Sequence, residues 1–242
     1  EQASVAVSIA RMAVISCYFL AEAVSPNVRL TLSHSEVLLG TTAAGYCRME
    51  TQHGVTGLIL AGGAGRRVGG RDKGLIPWRG RPLVEHVILA LENQVDKVDT
   101  LIISCNRNLD EYQKYNTQLV SDEREGFQGP LAGIEAAKPH VQTEFLLLAA
   151  CDMPLLPADL VARLRRPLIE PHAAADISFV HDGEREQYLC AMLRSTCLRG
   201  LNAYLAEGQR AVRRWYARHT CVAVDFSDCP GAFRNYNHID AW

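Results

Sequence analysis

The sequence predicts an α/β fold built on a mostly parallel, doubly wound sheet. Short apolar runs alternate with amphipathic segments from residue 55 to residue 166, and this alternation is typical of parallel strands joined by right-handed helical crossovers. A glycine-rich run directly follows the first apolar run, where such a sheet binds its ligands. The chain has 242 residues, of which 48% are hydrophobic, so one α/β domain can bury a substantial core.

The strands and helices are predicted from the spacing of apolar residues. Residues 55–60 form a short apolar run typical of a buried strand. Residues 82–94 form the first helix, because apolar residues recur at i, i+3, i+4 and i+7 from Val84 to Leu91. The alternation continues with strand 100–104, a helix near 109–115, strand 118–121, helix 130–138, strand 144–150 and helix 157–166.

The C-terminal half departs from this alternation. Residues 176–180 and 187–193 are predicted to form a hairpin around Asp182-Gly183, and residues 209–219 are predicted to form a helix. We therefore expect a small β-rich excursion in the C-terminal half, which together with the last helices forms the acceptor side of the protein.

The segment from Leu60 to Leu75, LAGGAGRRVGGRDKGL, is the main functional signal. Its five glycines let the backbone curl tightly and bring N–H groups against a phosphate chain. We expect the amides from Ala61 to Gly65 to hold a nucleoside triphosphate. Positive charge for the same anion is available from Arg66, Arg67, Arg71 and Lys73.

Two common glycine loops do not fit this segment. A Walker loop requires Ser or Thr after its lysine, and here Gly74 follows Lys73. The dinucleotide fingerprint requires a third glycine where this chain has Val68. A glycine-rich surface turn with solvated arginines is the remaining alternative to a triphosphate loop.

A second signal is the apolar strand that begins at Phe145 and ends in Asp152, with Pro154 two residues further on. The carboxyl ends of parallel strands lie at one edge of a sheet, so Asp152 is expected beside the glycine loop. A single carboxylate there suits Mg²⁺ held jointly with substrate phosphates. The alternative is an Asp that caps a turn before the proline.

A third signal begins at Asp122, which follows the strand at 118–121. Gly129-Pro130 then opens a helix, since proline is favoured in a first helical turn. The alternative to a functional role for Asp122 is that residues 122–129 are an ordinary strand-to-helix linker with solvated acidic residues.

The glycine segment resembles the L-A-G-G-x-x-x-R-x-G-G-x-D-K-G signature of nucleotidyltransferases, and most closely that of the molybdenum cofactor guanylyltransferases. The resemblance runs from about Val55 to Asp240, with further landmarks at 181–185, 225–228 and Phe233-x-Asn235-x-Asn237. It implies a Rossmann-like nucleotidyltransferase fold. It also implies a reaction that joins GMP from GTP to the phosphate of molybdopterin and releases pyrophosphate.

The resemblance implies roles for particular residues. Catalytic roles fall to Lys73, Arg67 and Asp152, with Mg²⁺ on Asp152. Nucleotide binding falls to Leu60, Ala61, Gly62, Gly63, Lys73, Asn106 and Asp122. Relatives often carry Asn where this chain has Ser104, which leaves open whether Ser104 or Asn106 contacts the base.

The predicted helix over 209–219 adds a cluster of positive charge. Arg210, Arg213 and Arg214 would share one helical face at i, i+3 and i+4. That face either meets the anionic pterin phosphate or is solvated.

Three alternatives to the guanylyltransferase stay open. A cytidylyltransferase acting on the same cofactor usually carries L-A-A-G at residues 60–63. A sugar-1-phosphate nucleotidyltransferase typically carries Thr and Leu-x-Pro after the first arginine. A nucleoside triphosphate-binding module without catalysis would be expected to lack Lys73 or Asp152, and both are present.

Composition limits the partners and the compartment. A formal net charge of −2 gives no broad basic surface for nucleic acid, and no apolar run is long enough to span a membrane. Eight cysteines without a C-x-x-C pair favour reduced thiols in the cytoplasm. The expected partners are GTP and the molybdopterin cofactor, with molybdoenzyme maturation proteins as further candidates.

Residues 1–53 match nothing in the resemblance. We expect them to form a dispensable or disordered extension, with Met49 as the working start. Residues 54–242 are expected to form the nucleotidyltransferase domain.

Overall fold

The computed structural model describes residues 54–63, 70–124, 126, 128–170 and 175–236. The expected extension at 1–53 lies outside these residues, and so does the middle of the glycine loop. The described strands are β1 (Val55–Leu60), β2 (Pro77–Trp78), β3 (Arg81–Pro82), β4 (Thr100–Ser104), β5 (Gln118–Val120), β6 (Phe145–Ala150), β7 (Ile177–His181), β8 (Glu186–Arg194) and β9 (Cys221–Asp225). The described α-helices are α1 (Leu83–Glu92), α2 (Leu109–Gln113), α3 (Pro130–Ala137), α4 (Leu160–Ile169), α5 (Leu201–Ala206) and α6 (Val212–Tyr216).

Seven of the described strands form one mixed sheet in the order β5-β4-β1-β6-β8-β7-β9. Strands β4, β1 and β6 are mutually parallel, and only β8 runs antiparallel to its neighbours in this sheet. The mostly parallel α/β sheet predicted from the sequence is confirmed. The predicted hairpin forms from β7 and β8 and extends this same sheet.

Helices cover both faces of the sheet, as expected for a doubly wound fold. Alternate side chains of β1 pack on opposite sides, because successive residues of a strand point to opposite faces. Ile59 lies in a core layer with residues of α1 and α4. Leu58 lies in the other layer with residues of α3, α5 and α6.

Several predicted elements differ from those observed at their ends. Helix α4 begins at Leu160 rather than at residue 157, because Asp159 occupies its N-cap position and the preceding residues form turns. The last helix covers only Val212–Tyr216, since its N-cap residue Ala211 is extended. Arg210 therefore precedes α6, and the prediction that it shares a helical face with Arg213 and Arg214 is wrong.

Strand β9 and helix α5 were not predicted from the sequence. Strand β9 lies at the edge of the sheet and alternates exposed and half-buried residues. Its apolar run, Cys221 to Val224, is only four residues long, and periodicity alone cannot assign so short a run to a strand. Trp78 packs against His86 and Tyr236, with ring centroids 4.8 and 5.2 Å away.

Helix α3 approaches the sheet closely at Gly133. A Cβ atom at this position would lie 2.5 Å from the Oγ of Ser104 and 3.1 Å from Cδ2 of Leu60. The Ser104 side chain is buried and faces this helix. Asn106 lies two residues beyond the end of β4.

We predict that Gly133→Ala lowers the free energy of unfolding by about 1–2 kcal/mol, because the overlap with Ser104 outweighs the better helix propensity of alanine. Urea denaturation measures this change. Gly200→Ala is the matched control, since a Cβ there meets nothing within 4 Å. Adding Ser104→Gly to Gly133→Ala should restore part of the loss, and an unchanged stability in Gly133→Ala would contradict the packing.

Candidate active site

The site lies at the carboxyl ends of three neighbouring parallel strands. Leu60 pairs with Ser104 of β4 on one side and with Ala150 of β6 on the other. The backbone N–H of Ala61 donates to the Ser104 carbonyl at 2.9 Å, and that of Cys151 donates to the Leu60 carbonyl at 3.2 Å. After β1 the chain forms β4 and β5, which lie on one side of β1 in the sheet. The later strand β6 lies on the other side of β1. Such a switch in strand order opens a ligand-binding crevice.

The start of the glycine loop leaves the sheet at this crevice. Because the Ala61 amide bonds to the sheet, the expectation that this N–H holds phosphate is wrong, and Ala61 instead anchors the loop. Gly62 lies next to Asn106: a Cβ at Gly62 would be 3.2 Å from Asn106 Nδ2. Arg67, for which the sequence predicts a catalytic role, lies outside the described residues, as do residues 64–69 as a whole.

Lys73 and Asp152 meet at the centre of the site. The Lys73 Nζ lies 3.0 Å from Oδ2 of Asp152, and the Asp152 side chain is only 7% exposed. Lys73 begins a short 3₁₀ helix (Lys73–Leu75), and the preceding Asp72 caps it by accepting from the Gly74 amide. Asp152 follows β6 directly. The sequence prediction that these two residues share one sheet edge is confirmed by this contact.

Asn106 and Asp122 form a second polar pair across the ends of β4 and β5. The Asn106 Nδ2 donates to Asp122 Oδ2 at 2.9 Å, and the Asp122 amide donates back to Asn106 Oδ1 at 2.8 Å. Burial raises the pKa of the Asp122 carboxyl above its ordinary value, the Asn106 hydrogen bond lowers it, and the nearby Glu135 raises it. Asp122 is thus held in a fixed orientation by Asn106, whose side chain lies beside Gly62.

The segment that follows Asp122 is held by arginines. Arg124 makes two hydrogen bonds to Glu135 of α3, at 2.6 and 2.8 Å. The Nε of Arg210 donates to Gln128 at 2.6 Å, and its Nη1 donates to the carbonyls of Leu205 and Gln209. Arg210 therefore supports the 122–129 segment instead of presenting a helical face to an anion.

The C-terminal end of the described chain returns to the site. The Tyr236 amide donates to the Asp152 carbonyl at 2.9 Å, while its ring packs on Trp78. This support for Asp152 could not be found from strand periodicity. The only sequence signal was the Phe233-x-Asn235-x-Asn237 landmark, of which Asn237 lies outside the described residues.

The residues around Asp152 fit a magnesium ion rather than a metal held by protein alone. The described part of the chain contains no group of three or more His, Cys, Asp or Glu side chains that could hold a metal ion. Magnesium usually takes one or two carboxylates together with phosphates and water, so one buried carboxylate is sufficient.

Comparison with known proteins agrees with this geometry. Residues 57–223 match the family of MobA-like NTP transferase domains. The chain is 41% identical over 183 residues to the molybdenum cofactor guanylyltransferase of Shewanella sediminis, a match that covers 76% of this chain and 91% of that protein. The chain belongs to the family of MobA-like NTP transferases. A second relative, the molybdenum cofactor guanylyltransferase of Shewanella sp. strain ANA-3, is 42% identical over the same length and is covered to 90%.

Solved structures agree on the fold. Molybdopterin-guanine dinucleotide biosynthesis protein A from Archaeoglobus fulgidus superposes with a TM-score of 0.61 at 22% identity, covering 76% of this chain and 93% of that one. This likeness shows the Rossmann-like sheet, while membership in the nucleotidyltransferase family rests on the sequence matches. Every helix among the described residues is too short or too polar to cross a membrane.

The raised pKa of Asp122 leads to a stability prediction. An acid whose pKa is higher in the folded than in the unfolded chain favours folding at low pH, and this contribution is lost as the pH rises through the folded pKa. At neutral pH the ionised Asp122 therefore costs stability. Asp122→Asn can still accept from Asn106, so we predict a higher melting temperature than wild type at pH 7.

Thermal unfolding at neutral pH and below about pH 4, near the ordinary pKa of Asp, measures this difference. The difference in melting temperature between Asp122→Asn and wild type should shrink in acid, because protonated Asp122 is then neutral, as the Asn side chain is. Glu123→Gln, an exposed neighbour, is the control and should not show the pattern. A destabilised Asp122→Asn at pH 7 would refute the prediction.

Proposed function

We propose that the chain transfers GMP from GTP to the phosphate of molybdopterin, with release of pyrophosphate. The observation that carries this proposal is the contact between Lys73 and Asp152, 3.0 Å apart at the switch point of the sheet. It brings a cation for the triphosphate and a carboxylate for a metal to the same point. The names of relatives about 40% identical over 183 residues support the choice of substrates.

Three features of the chain would place the triphosphate. Gly62 and Gly63 begin the loop that wraps around it, since glycine backbone can approach a phosphate closely. Lys73 supplies positive charge from the other end of the same loop. Arg67, in the part of the loop outside the described residues, is proposed to stabilise the charge on the leaving pyrophosphate.

Asp152 is the residue that would hold Mg²⁺. When bound, the ion would neutralise charge on the reacting phosphates and stabilise the leaving group. The contact with Lys73 holds the Asp152 carboxylate in place. The hydrogen bond from the Tyr236 amide to the backbone carbonyl of Asp152 holds the main chain at the same residue. The acceptor phosphate is already ionised, so the protein needs no strong general base, and catalysis rests on positioning and charge stabilisation.

The base would be recognised on the β4–β5 side of the crevice. Asn106 donates to one carboxylate oxygen of Asp122. The other oxygen has no partner within the part of the chain that the structure describes, and it can accept from the Watson–Crick N–H edge of guanine. Cytosine offers an acceptor where guanine offers its ring N–H, so this pair favours GTP over CTP.

We also propose that the enzyme works in the cytoplasm, where GTP is supplied. Its product would pass to a molybdoenzyme or to a maturation protein that inserts the finished cofactor.

The experiment that tests the function compares nucleotides on purified protein with Mg²⁺ and molybdopterin. Labelled GTP or CTP is supplied, and both pyrophosphate release and label transfer to the pterin are followed. Transfer from GTP alone is expected. Transfer from CTP alone would keep the fold and the mechanism but overturn the substrate, and release from neither nucleotide despite tight binding would overturn the proposed reaction.

We predict that Lys73→Ala lowers the rate of GMP transfer on the order of 10²-fold or more, as for the loss of single electrostatic donors in other enzymes. Initial rates of pyrophosphate release at saturating GTP measure this loss. Lys97→Ala is the matched control, because Lys97 is 81% exposed and pairs only with a neighbouring surface carboxylate among the described residues. Near-normal turnover in Lys73→Ala would remove this residue from the mechanism.

A further inference from the structure

Asp72, the residue before Lys73, is buried and does not lie among the groups that would touch the nucleotide. Its Oδ1 accepts from the hydroxyl of Tyr112 at 2.8 Å and from the Gly74 amide at 3.2 Å. Its Oδ2 accepts from Asn108 Nδ2 at 3.1 Å. Three donors therefore hold one carboxylate and fix its orientation.

Two of these donors come from the segment after β4, far from Asp72 in sequence. Tyr112 is fully buried in α2, and Asn108 precedes that helix. Arg107, in the same segment, donates to the carbonyls of Gly70 at 2.7 Å and Arg71 at 3.2 Å. The residues from 107 to 112 thus hold the end of the glycine loop at three consecutive positions, from Gly70 to Asp72.

Gly74 shows how tightly this arrangement is built. A Cβ at Gly74 would lie 2.4 Å from the Tyr112 hydroxyl oxygen, while the next ring atom would be 3.4 Å away. Only glycine leaves room for the hydroxyl to reach Asp72. The sequence Asp72-Lys73-Gly74 is therefore explained by one contact: Asp72 accepts the Tyr112 hydroxyl, Gly74 makes room for it, and Lys73 is carried between them.

We propose that Tyr112 and Asn108, acting through Asp72, are positioning residues that hold Lys73 at the triphosphate. The inference deepens the proposed function and rests on it for the identity of the phosphate ligand. Tyr112 does not touch the nucleotide; its hydroxyl fixes the carboxylate that caps the turn on which Lys73 stands. Lysine has a flexible side chain with several rotatable bonds, so its effect on a phosphate depends on how firmly its backbone is held.

The test compares Tyr112→Phe with Tyr115→Phe. Both changes remove one hydroxyl from a packed tyrosine near α2, and the Tyr115 hydroxyl donates to no described residue, so this variant is the matched control. We expect Tyr112→Phe to lower kcat/KM for GTP about tenfold, a loss typical of one buried hydrogen bond to a charged group. Tyr115→Phe should stay within about twofold of wild type. Wild-type kcat/KM in folded Tyr112→Phe protein would overturn the inference.

A second comparison separates positioning from a general structural effect. In a Lys73→Ala background, Tyr112→Phe should cause no further loss of kcat/KM, because the residue through which it acts is gone. A further tenfold loss there would show that Tyr112 acts by another route and would overturn the inference. Melting temperatures of all variants confirm that folded protein is compared.

The geometry at Gly74 supplies a third comparison. Gly74→Ala alone should lower kcat/KM, because the added methyl group displaces the Tyr112 hydroxyl. Combined with Tyr112→Phe, the same change should cost little more than Tyr112→Phe alone, since the nearest remaining ring atom is at ordinary contact distance. If the losses of kcat/KM in Gly74→Ala and Tyr112→Phe multiplied in full in the double variant, the proposed contact between Gly74 and the Tyr112 hydroxyl would be contradicted.

Failure of the proposed function can be told apart from failure of this inference. If wild-type protein transferred no GMP from GTP, the proposed function would fall. The inference would then be decided by the affinity of the same variants for tripolyphosphate, measured by calorimetry. We expect Tyr112→Phe to bind tripolyphosphate about tenfold more weakly than Tyr115→Phe, again with no further effect in the Lys73→Ala background, and equal affinities would refute it.

Discussion

The register of three parallel strands fixes the geometry of the whole site. Leu60 lies opposite Ser104 and Ala150 at once, so the loops that follow β1, β4 and β6 leave the sheet at one edge. A slip of one residue in either pairing would turn alternate side chains to the other face. It would separate Asp152 from Lys73 and Asn106 from Gly62. Gly133 belongs to the same constraint, because α3 lies close enough to β1 and β4 to fix their relative position.

Much of this arrangement could be predicted from the sequence. The apolar run before the glycine loop and the apolar run that ends in Asp152 are both buried on two faces, and such strands are recognisable without a partner. Their parallel order then places Lys73 and Asp152 at one edge. The contacts of Asp72 could not be predicted, because Asn108 and Tyr112 lie 36 and 40 residues away and show no pattern linked to it. The same holds for Tyr236, which reaches Asp152 only through the fold.

Asp122 is held at some cost to stability at neutral pH, because burial raises the pKa of its carboxyl.

Burial also raises the pKa of the Cys105 thiol, to about 11. The Cys105 thiol is thus protonated at neutral pH, as expected for a structural cysteine. Cys105 and Cys151 follow the two strands that flank β1, so their separation is about two strand spacings, near 9–10 Å, too far for a disulfide. The predicted reduced thiols fit this placement.

The central claim is that Lys73 and Asp152 act as one unit on the same phosphates. The most direct test is a double-mutant cycle on kcat/KM for GTP with Lys73→Met, Asp152→Asn and the combined variant. Residues that act as a unit lose nearly their whole contribution when either is removed. We therefore expect the combined variant to be no more than about threefold slower than the slower single variant, far short of the product of the two losses. Losses that multiply in full would show that the two residues act independently and would contradict the claim.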